Sequence, residues 1–524
     1  MAPRHMVAAA HPLAAAEGLR VLDGGGNAVD AALAMAGMTA VALPDQCGLG
    51  GDAFLLVYRA ADRQLWAING AGPAPLGATP ERLRNLGYRR MPMAGIHAIA
   101  VPGAVAGYQA AYRLLASRPW SELWARAVAY AREGVPVGEL TASHVHEQLG
   151  KIRQDAWLSA RFLVDGNPLT AGQRQTLSEL SQSLQDVADS EGESFYRGEL
   201  GQRILSALNA QGGFFLGKEW TSFAVRPEAP LMIPYRGAAV AVSPVPSQGM
   251  VLGEALLILD GFALGDYPYG NARAIHLMVE AIRQGFSDRL HYLEDGVSPD
   301  IVAGLLKDQY IRQIRAALGV DRVRMLPGGF DGLGDTTFIA AVDQWSNAVC
   351  LVHSLGLSFG AGVTAGETGV VLNNRAGRGF RLDRGPNLLA PGRRSMSTLM
   401  AWMVLDKGRP RLIGGTPGGD GQPQWNLQLL VYLLDWGLNV QEAVEAPRWT
   451  AFPGTDSDVL GRLPELRLEG RFDAHTRGQL ARFGHTITMQ DDWGAGGGAQ
   501  VIRWANDHLE GGSDPRVDGC ALGS

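Results

Sequence analysis

Asp335-Thr336-Thr337-Phe338 leads directly into the apolar run Ile339-Ala340-Ala341-Val342. Its β-branched and apolar side chains predict a strand that begins at the threonines. A threonine at the start of a chain carries its own general base, because its hydroxyl is the nucleophile and its α-amine, with a pKa of about 8, accepts the proton. Such a tetrapeptide ordinarily forms the first residues of a half-buried strand. Other parts of the chain must therefore decide whether Thr336 becomes an N-terminus.

The residues before Thr336 form a glycine-rich approach, Gly328-Gly329-Phe330-Asp331-Gly332-Leu333-Gly334-Asp335. Four glycines in eight residues make a flexible segment. This is the clearest change of composition along the chain. We therefore place a boundary here, and a cut between Asp335 and Thr336 would give a large piece, residues 1–335, and a small piece, residues 336–524.

Composition excludes several classes of partner. A net charge of -6 with 19% charged residues argues against an obligatory nucleic-acid partner, which needs a concentrated basic face. No run approaches the roughly 20 apolar residues that span a membrane. Cys47, Cys350 and Cys520 lack metal-ligand spacing and are too few for a disulfide framework. These three cysteines, together with an opening segment that leaves no room for an export signal, favour the cytoplasm. We expect no metal and no cofactor.

The spacing of apolar residues predicts a mainly helical first part and a strand-rich last part. The helices are expected at residues 104–115, 123–131, 202–208, 251–259, 272–292, 424–434 and 474–482. The strands are expected at 54–58 and 64–69, which could pair as a hairpin, and at 336–342, 348–353, 399–405, 411–414 and 466–468.

Ten different short motifs, most of them rich in glycine, are distributed from one end of the chain to the other. They are Met6 to Ala14, Gly25-Gly26-Asn27-Ala28-Val29-Asp30-Ala31-Ala32, Gly48-Leu49-Gly50-Gly51-Asp52, Val101 to Gly107, Phe359 to Val363, Asn373-Asn374, Pro417-Gly418-Gly419-Asp420, Glu445-Ala446-Pro447-Arg448, Ser513-Asp514-Pro515-Arg516 and Asp518-Gly519. Each alone indicates a turn, but their joint order resembles the γ-glutamyltransferase family of N-terminal-nucleophile hydrolases.

The resemblance implies an α+β fold, a four-layer αββα stack, formed by one unit rather than by separate domains. It also implies that the chain cleaves itself between Asp335 and Thr336. The products would be the intertwined large and small subunits of one precursor, and the family allows two such pairs to form a dimer of heterodimers.

The same resemblance assigns catalytic roles. Thr336 is the expected nucleophile, and Ser354 stands where the family generally has a second threonine that orients it. Gly418 and Gly419 match the paired glycines whose backbone N–H groups stabilise the oxyanion, since residues without a side chain allow close approach to developing negative charge.

The substrate pocket departs from that of the γ-glutamyl enzymes. Ala71 stands where they carry the arginine that holds the glutamate α-carboxylate, and Arg394-Ser395 replaces their paired serines. The positions that hold the α-amine are occupied by Gly356, Arg375 and the Arg378-Gly379 segment. Arginine would repel an ammonium group and suits a carboxylate. We therefore predict that Gly356, Arg375, Arg394 and Ser395 contact a small amide that carries a carboxylate but no free α-amine.

The run from Gly418 to Gln424 looks like the branch that contains oxamate amidohydrolases, and cephalosporin (glutaryl) acylases form another such branch. The segment 380–394 is short, which suggests an open site and favours water over an amine as acceptor. The alternatives are a γ-glutamyl transferase or glutathione hydrolase, and an uncleaved homologue that serves as a binding or scaffold protein.

Two further patterns have competing interpretations. Gly356-Leu357-Ser358-Phe359-Gly360 satisfies the G-x-S-x-G nucleophile elbow, but the glycines that follow oppose the helix this motif requires. His144 and His146 form an H-x-H pair that lacks further zinc ligands, so we expect a surface helix there.

Overall fold

The first of two central sheets carries Thr336. A computed structural model of the protein describes residues 1–324, 335–455 and 462–524. Six antiparallel strands form this first sheet, in the order Cys520–Gly523, Met6–Ala9, Asp335–Val342, Ala348–Gly356, Asp52–Arg59 and Gln64–Gly70. The strand Asp335–Val342 therefore lies in the interior of the sheet, between the N-terminal strand and the one that carries Ser354.

The second sheet is also antiparallel and lies against the first. Its strands follow the order Leu509–Ser513, Gln500–Trp504, Arg409–Gly415, Trp402–Asp406, Ala238–Val242 and Leu231–Tyr235. A smaller sheet contains Trp449–Phe452, Glu465–Glu469 and Ile487–Gln490, and two-residue strands pair at Val135–Pro136 with Arg174–Gln175 and at Leu163–Val164 with Asn167–Pro168.

Successive residues of the strand Asp335–Val342 face two different cores, as the period of two requires. Phe338 and Ala340 pack between the sheets with residues such as Met403 and Ile413 of the second sheet. Ile339 belongs to a separate core that the first sheet shares with helices. A third core lies between the second sheet and its own helices. Three cores separate four layers, so the predicted αββα stack is confirmed.

Helices cover the outer face of each sheet. The helices over the first sheet are Pro12–Asp23, Ala28–Ala42, Ala104–Leu115, Trp120–Glu133, Ser178–Asp189 and Glu199–Ala210, and those over the second are Gly249–Leu259, Ala272–Tyr292, Asp308–Ala317, Gly421–Leu434 and Val440–Glu445. The shorter helices are Pro80–Asn85, Glu139–Glu147, Leu149–Ile152, Ala156–Phe162, Glu193–Arg197, Lys218–Thr221, Pro299–Leu305, Arg375–Gly379 and Ala474–Arg482, with single 3₁₀ turns at Ile96–Ala98, Leu264–Asp266 and Gly366–Thr368.

One sequence motif has a local explanation in the helix Ala28–Ala42. The Asn27 side chain accepts hydrogen bonds from the backbone N–H groups of Val29 and Asp30, and the Asp30 carboxylate accepts one from the Asn27 N–H at 2.8 Å. This capping box satisfies backbone donors that would otherwise be lost at a buried helix end. Every residue of the helix is buried, which explains its small, apolar composition.

The predicted helices and strands are confirmed within the usual shift of a few residues at their ends, and the residues 54–58 and 64–69 pair as the predicted hairpin. Both sheets contain strands from before and after Thr336. The chain is therefore one folded unit. The glycine-rich approach at 328–334 lies outside the described residues, and the division into 1–335 and 336–524 stays a prediction.

Candidate active site

Thr336 sits at an irregularity in the first sheet. Asp335 pairs with Gly356 and Thr337 with His353, so Thr336 alone faces the two residues Ser354 and Leu355. Such a bulge interrupts the ladder and redirects the side chains beside it. Only about 1% of Thr336 is exposed. The predicted scissile peptide bond, Asp335–Thr336, therefore lies at a local break in otherwise regular pairing.

The predicted orienting hydroxyl lies in contact with the predicted nucleophile. The Thr336 hydroxyl donates to Ser354 Oγ at 3.0 Å, and the Gly356 N–H donates to the same oxygen at 2.8 Å. Both side chains are buried. Ser354, which stands where the family generally has a threonine, therefore keeps a hydroxyl oxygen beside Thr336, and Gly356 helps to hold that oxygen.

The paired glycines have backbone conformations that favour glycine. Gly418 has φ of +124° and Gly419 has φ of +55°. A β-carbon on Gly418 would lie 2.0 Å from the ring of Trp425. Within residues 1–324, 335–455 and 462–524, neither glycine donates its N–H to a protein acceptor. Two buried donors at the start of the helix Gly421–Leu434 are suited to an oxyanion.

Side chains from the larger part of the chain hold this glycine turn in place. Gln248 Nε2 donates to the Gly419 carbonyl at 2.9 Å and to the Thr398 carbonyl at 3.0 Å. Arg289 pairs with Asp420, the next residue after the glycines, at 2.9 Å. These contacts cross the predicted cleavage point and position the turn.

A cavity of about 340 Å³ joins the nucleophile to one of the glycines. Its wall is made of residues from both predicted pieces: Gln46, Leu140, His144, Glu147, Gln148, Thr336, Leu357, Ser358, Pro417, Gly418, Trp425, Gly496, Gly497, Arg516 and Val517. Its volume lies within the range of sites for small molecules, about 300–1,000 Å³. Thr336, Ser354 and the glycine turn therefore have the geometry of a candidate active site.

Several residues that line this cavity were not predicted from the sequence. The glycine run at 494–498 was the available signal for Gly496 and Gly497, and β-carbons on Gly497 and Gly418 would both meet the Trp425 ring. Arg516 lies in a buried network, with its guanidinium bonded to Glu469 at 2.7 Å and to Asp514 at 3.0 Å. The family motif around Arg516 thus shapes the cavity wall through ion pairs.

His144 corrects one sequence expectation. His146 is exposed, as predicted for a surface helix, but His144 of the same helix is buried and lines the cavity. Its Nδ1 lies 2.6 Å from Asp45 Oδ2, and Asp45 Oδ1 accepts from the Thr141 hydroxyl at 2.9 Å. The surface prediction failed because a two-residue spacing places the two imidazoles on different sides of a helix. No group of three or more metal-ligating side chains occurs among the described residues.

Arg375 occupies a buried ion pair rather than the wall of this cavity. Its Nε lies 2.8 Å from Asp52 Oδ2, and the side chains of both residues are at most 1% exposed. Burial raises the pKa of the Asp52 carboxyl, while the Arg375 charge opposes that shift. Ser395 Oγ donates to the Arg375 carbonyl at 3.3 Å. The predicted contact of Arg375 and Ser395 with substrate stays a prediction, since their described contacts are internal.

Arg394 lies at a second cavity of about 430 Å³, which also contains Ala71 and Asn69. Its Nη2 pairs with Asp295 at 2.8 Å. Arg394 is not among the residues that line the Thr336 cavity. The structure therefore brings Thr336, Ser354 and Gly418 together, and it places Arg375 and Arg394 outside the wall of the Thr336 cavity.

The nucleophile-elbow interpretation of Ser358 is wrong. The strand Ala348–Gly356 ends before Ser358, and turns follow until the single 3₁₀ turn Gly366–Thr368. Phe359, Gly360 and Gly362 all have positive φ, which prevents a helix directly after the serine.

No helix among the described residues is long and apolar enough to cross a membrane.

Comparisons with known proteins show the family to which the chain belongs. The chain is 33% identical over 526 residues to the glutathione hydrolase-like YwrD proenzyme of Bacillus subtilis, with 99% of this chain and 98% of the relative covered. It is 33% identical over 538 residues to the oxamate amidohydrolase proenzyme of Klebsiella pneumoniae, with the same coverage. The solved cephalosporin acylase from Bacillus halodurans superposes with a TM-score of 0.90 at 31% identity, covering 100% of this chain and 96% of that one. A family model described as Gamma-glutamyltranspeptidase matches residues 14–524. The chain belongs to the gamma-glutamyltranspeptidase family of N-terminal-nucleophile amide hydrolases.

Proposed function

We propose that the protein is a self-cleaving amidohydrolase that uses Thr336 to hydrolyse a small amide carrying a carboxylate. The observation that supports this proposal most directly is the placement of Thr336, bonded to Ser354, on the same cavity as Gly418. A nucleophile, an orienting hydroxyl and a backbone oxyanion donor are the three parts that acyl transfer requires.

The precursor reaction follows from the position of Thr336. Its hydroxyl oxygen attacks the carbonyl carbon of Asp335, and the peptide nitrogen leaves as the α-amine while an ester forms on the threonine oxygen. Water then hydrolyses that ester, which leaves a carboxylic acid on Asp335 and a free hydroxyl and amine on Thr336. Ser354 orients the hydroxyl in both stages through its hydrogen bond.

Turnover repeats this chemistry on substrate. The α-amine of Thr336 accepts the hydroxyl proton as the oxygen attacks the substrate amide, and the Gly418 and Gly419 N–H groups stabilise the resulting oxyanion. The amine portion of the substrate leaves with a proton, and an acyl-enzyme remains on Thr336. Water attacks this ester and releases the acid.

The charge near Gly356 favours one class of substrate. Arg375 and Arg378 are buried at positions that resemble the α-amine site of γ-glutamyl enzymes, and Arg378 Nη1 donates to the Gly356 carbonyl at 2.8 Å. An ammonium group placed beside two guanidinium groups would be repelled. Acids without an α-amine are therefore favoured over γ-glutamyl compounds. Hydrolysis is favoured over transfer to an amine because the segment 380–394 is short.

A matched pair of substrates tests the proposal. Glutaryl anilide and γ-glutamyl anilide differ only in the α-ammonium group, and oxamate supplies a smaller amide acid. The purified, cleaved enzyme is expected to hydrolyse glutaryl anilide or oxamate with a higher kcat/KM than γ-glutamyl anilide. A preference for γ-glutamyl anilide would instead establish the glutathione-hydrolase alternative. An enzyme that cleaves none of them, and forms no acyl adduct on Thr336, would support the scaffold alternative.

We also propose that both pieces remain associated after cleavage and that the protein resides in the cytoplasm. Strands from both pieces share each sheet, which supports lasting association. Cys47, Cys350 and Cys520 are free thiols, as is typical of a reducing compartment. Co-elution of the two fragments on gel filtration tests their association, and the elution volume tests whether two heterodimers pair. Fractionation of native cells tests the location of the protein.

A further inference from the structure

The glycine turn, Gly418-Gly419, is held through its carbonyl groups. The Gly418 carbonyl accepts from the Gly421 N–H at 2.8 Å. The Gly419 carbonyl accepts from Gln248 Nε2 at 2.9 Å and from the Gln422 N–H at 3.1 Å. A peptide unit is planar and trans, so its carbonyl and its N–H point in opposite directions. Holding these two carbonyls therefore fixes the peptide units of the turn and the direction of the Gly419 N–H.

Gln248 belongs to the larger predicted piece and is itself fixed. It is fully buried, and its Nε2 also donates to the Thr398 carbonyl at 3.0 Å. Its backbone N–H donates to the Ser397 carbonyl at 3.0 Å. The side chain therefore reaches the glycine turn from a backbone that is anchored on the smaller piece.

A buried carboxylate adjoins the glycine turn. Asp420 follows Gly419 directly and is 2% exposed. Its Oδ1 lies 2.9 Å from Nη1 of Arg289, and its Oδ2 accepts from the Thr455 hydroxyl at 2.9 Å. The same Arg289 Nη1 donates to Gln248 Oε1. Arg289 is 5% exposed, so solvent screens little of either charge.

The ion pair between Arg289 and Asp420 matters for negative charge that develops beside it. A buried carboxylate without its cation would oppose the formation of an oxyanion at the neighbouring glycines. The Arg289 guanidinium offsets that charge. Because it also bonds Gln248, one side chain connects the charge next to the turn with the amide that holds the turn.

We propose that Gln248 and Arg289 are positioning residues of the oxyanion site. Gln248 fixes the turn through the Gly419 carbonyl, and Arg289 cancels the negative charge of Asp420. Both come from the larger predicted piece, whereas the glycines come from the smaller one. The cleaved enzyme therefore needs the larger piece to orient its oxyanion donors and to balance the charge next to them. The inference rests on the proposed function and names the residues that complete its acyl-transfer site.

The main test separates the charge of Arg289 from its packing. Steady-state kcat and KM are measured with the preferred substrate for the unmodified enzyme, Arg289→Met, Arg289→Lys and the double variant Arg289→Met/Asp420→Asn. We expect Arg289→Met to lower kcat and kcat/KM equally, by about 10- to 100-fold, because it leaves a buried charge uncompensated at short range. Arg289→Lys keeps the positive charge and should retain at least about a third of the unmodified kcat. The double variant removes both charges and should exceed Arg289→Met in kcat by at least about threefold.

Arg283→Met is the matched control. Arg283 lies on the same helix, Ala272–Tyr292, and its Nη1 lies 2.8 Å from Glu280 in a second buried ion pair. This pair stays within the helix, so its loss tests destabilisation alone and should leave kcat unchanged.

Gln248→Leu tests the orientation of the turn without changing any charge. It removes the amide that holds the Gly419 carbonyl, and we expect kcat to fall by about tenfold at an unchanged KM, since the loss concerns a hydrogen bond that orients a transition-state donor.

Several results overturn the inference. They are an unmodified kcat in Arg289→Met, no recovery in the double variant, a change confined to KM, or an equal loss of kcat in Arg283→Met. Intact mass and thermal unfolding show whether each variant is cleaved and folded. If Arg289→Met fails either check, Arg289→Gln replaces it. If both Arg289 variants and Gln248→Leu stay uncut while Arg283→Met is cleaved, the residues serve folding, and the inference is wrong.

The proposed function fails in a different way. An unmodified enzyme that hydrolyses none of glutaryl anilide, oxamate and γ-glutamyl anilide overturns the proposed function and this inference together. Turnover of γ-glutamyl anilide alone refutes the proposed substrate class. The Arg289 and Gln248 variants are then measured with that compound, because attack of Thr336 on any amide forms an oxyanion. An active unmodified enzyme with unaffected variants overturns this inference alone.

Discussion

Gly418→Ala adds one methyl group to the wall of the Thr336 cavity, where the backbone is proposed to stabilise the oxyanion. The new β-carbon would lie 2.0 Å from Cζ3 of Trp425, far inside contact distance. Gly418 also has φ of +124°, which alanine rarely adopts. The ring or the turn must therefore move, and a moved turn changes the direction of its N–H groups.

Gly418→Ala is expected to change both the folding free energy and kcat. Backbone strain at such a φ costs about 1–3 kcal/mol of folding free energy. Loss of one oxyanion donor lowers kcat by about 10²- to 10³-fold, or roughly 2.7–4 kcal/mol in the barrier. We expect kcat to fall by about that factor while the thermal unfolding temperature falls by only a few degrees.

Gly408→Ala is the matched control for strain. Gly408 has φ of +76° in the hairpin turn between Trp402–Asp406 and Arg409–Gly415, and no heavy atom lies within 4 Å of its β-carbon. The assay is single-turnover hydrolysis of the preferred anilide, after mass spectrometry has shown the extent of cleavage. A Gly418→Ala enzyme that is cleaved and retains more than about a third of the unmodified kcat would refute the oxyanion assignment.

Three further predictions concern buried groups near Thr336. Ser354→Ala removes the oxygen that accepts from Thr336 and should slow self-cleavage about 10- to 100-fold in a mass-spectrometric time course, whereas Ser354→Thr should remain within about threefold. Arg375→Met leaves Asp52 buried without its cation and should destabilise the fold by about 3–5 kcal/mol, measured by thermal unfolding. Burial lowers the pKa of His353 to about 3, so between pH 6.5 and 3 only the unfolded chain binds a proton on this imidazole. The free energy of unfolding should therefore fall by at most about 1.4 kcal/mol per pH unit as the pH drops through this range, and His353→Asn should reduce that slope.

Each of these predictions has its own control. Arg312→Met breaks the exposed Asp308–Arg312 pair and should cost at most about 1 kcal/mol, so an equally small effect of Arg375→Met would contradict the ion-pair argument. A His353→Asn slope identical to that of the unmodified protein would disprove the buried-histidine account. Ser354→Ala cleaving at the unmodified rate would remove the orienting role.

Local patterns were sufficient to predict most of the fold. The residues 272–292 carry a helical period over their full length and form the helix Ala272–Tyr292, and the run after Thr336 forms a strand buried on both faces. The proximity of Thr336, Ser354 and Gly418 could be expected because the family resemblance assigns all three residues to one site. Thr336 and Ser354 are also close in sequence on neighbouring strands.

The substrate wall could not be predicted in the same way. His144 lines the cavity and is held through Nδ1 by Asp45, which is far away in sequence. Arg375 looked available for substrate, but strand pairing brings Asp52 beside Ser354 and so supplies the arginine with an internal partner. Both outcomes depend on long-range packing, which neither periodicity nor a motif encodes.

Self-cleavage before Thr336 is the central claim, and the intact mass of freshly purified protein tests it most directly. The unmodified protein should give two fragments, residues 1–335 and 336–524, with Thr-Thr-Phe-Ile at the new N-terminus. Thr336→Ala should remain a single 55.8 kDa chain, and Thr337→Ala, which alters the neighbouring threonine, should still be cut. A single uncut chain in the unmodified protein, or the same two fragments from Thr336→Ala, would contradict the account.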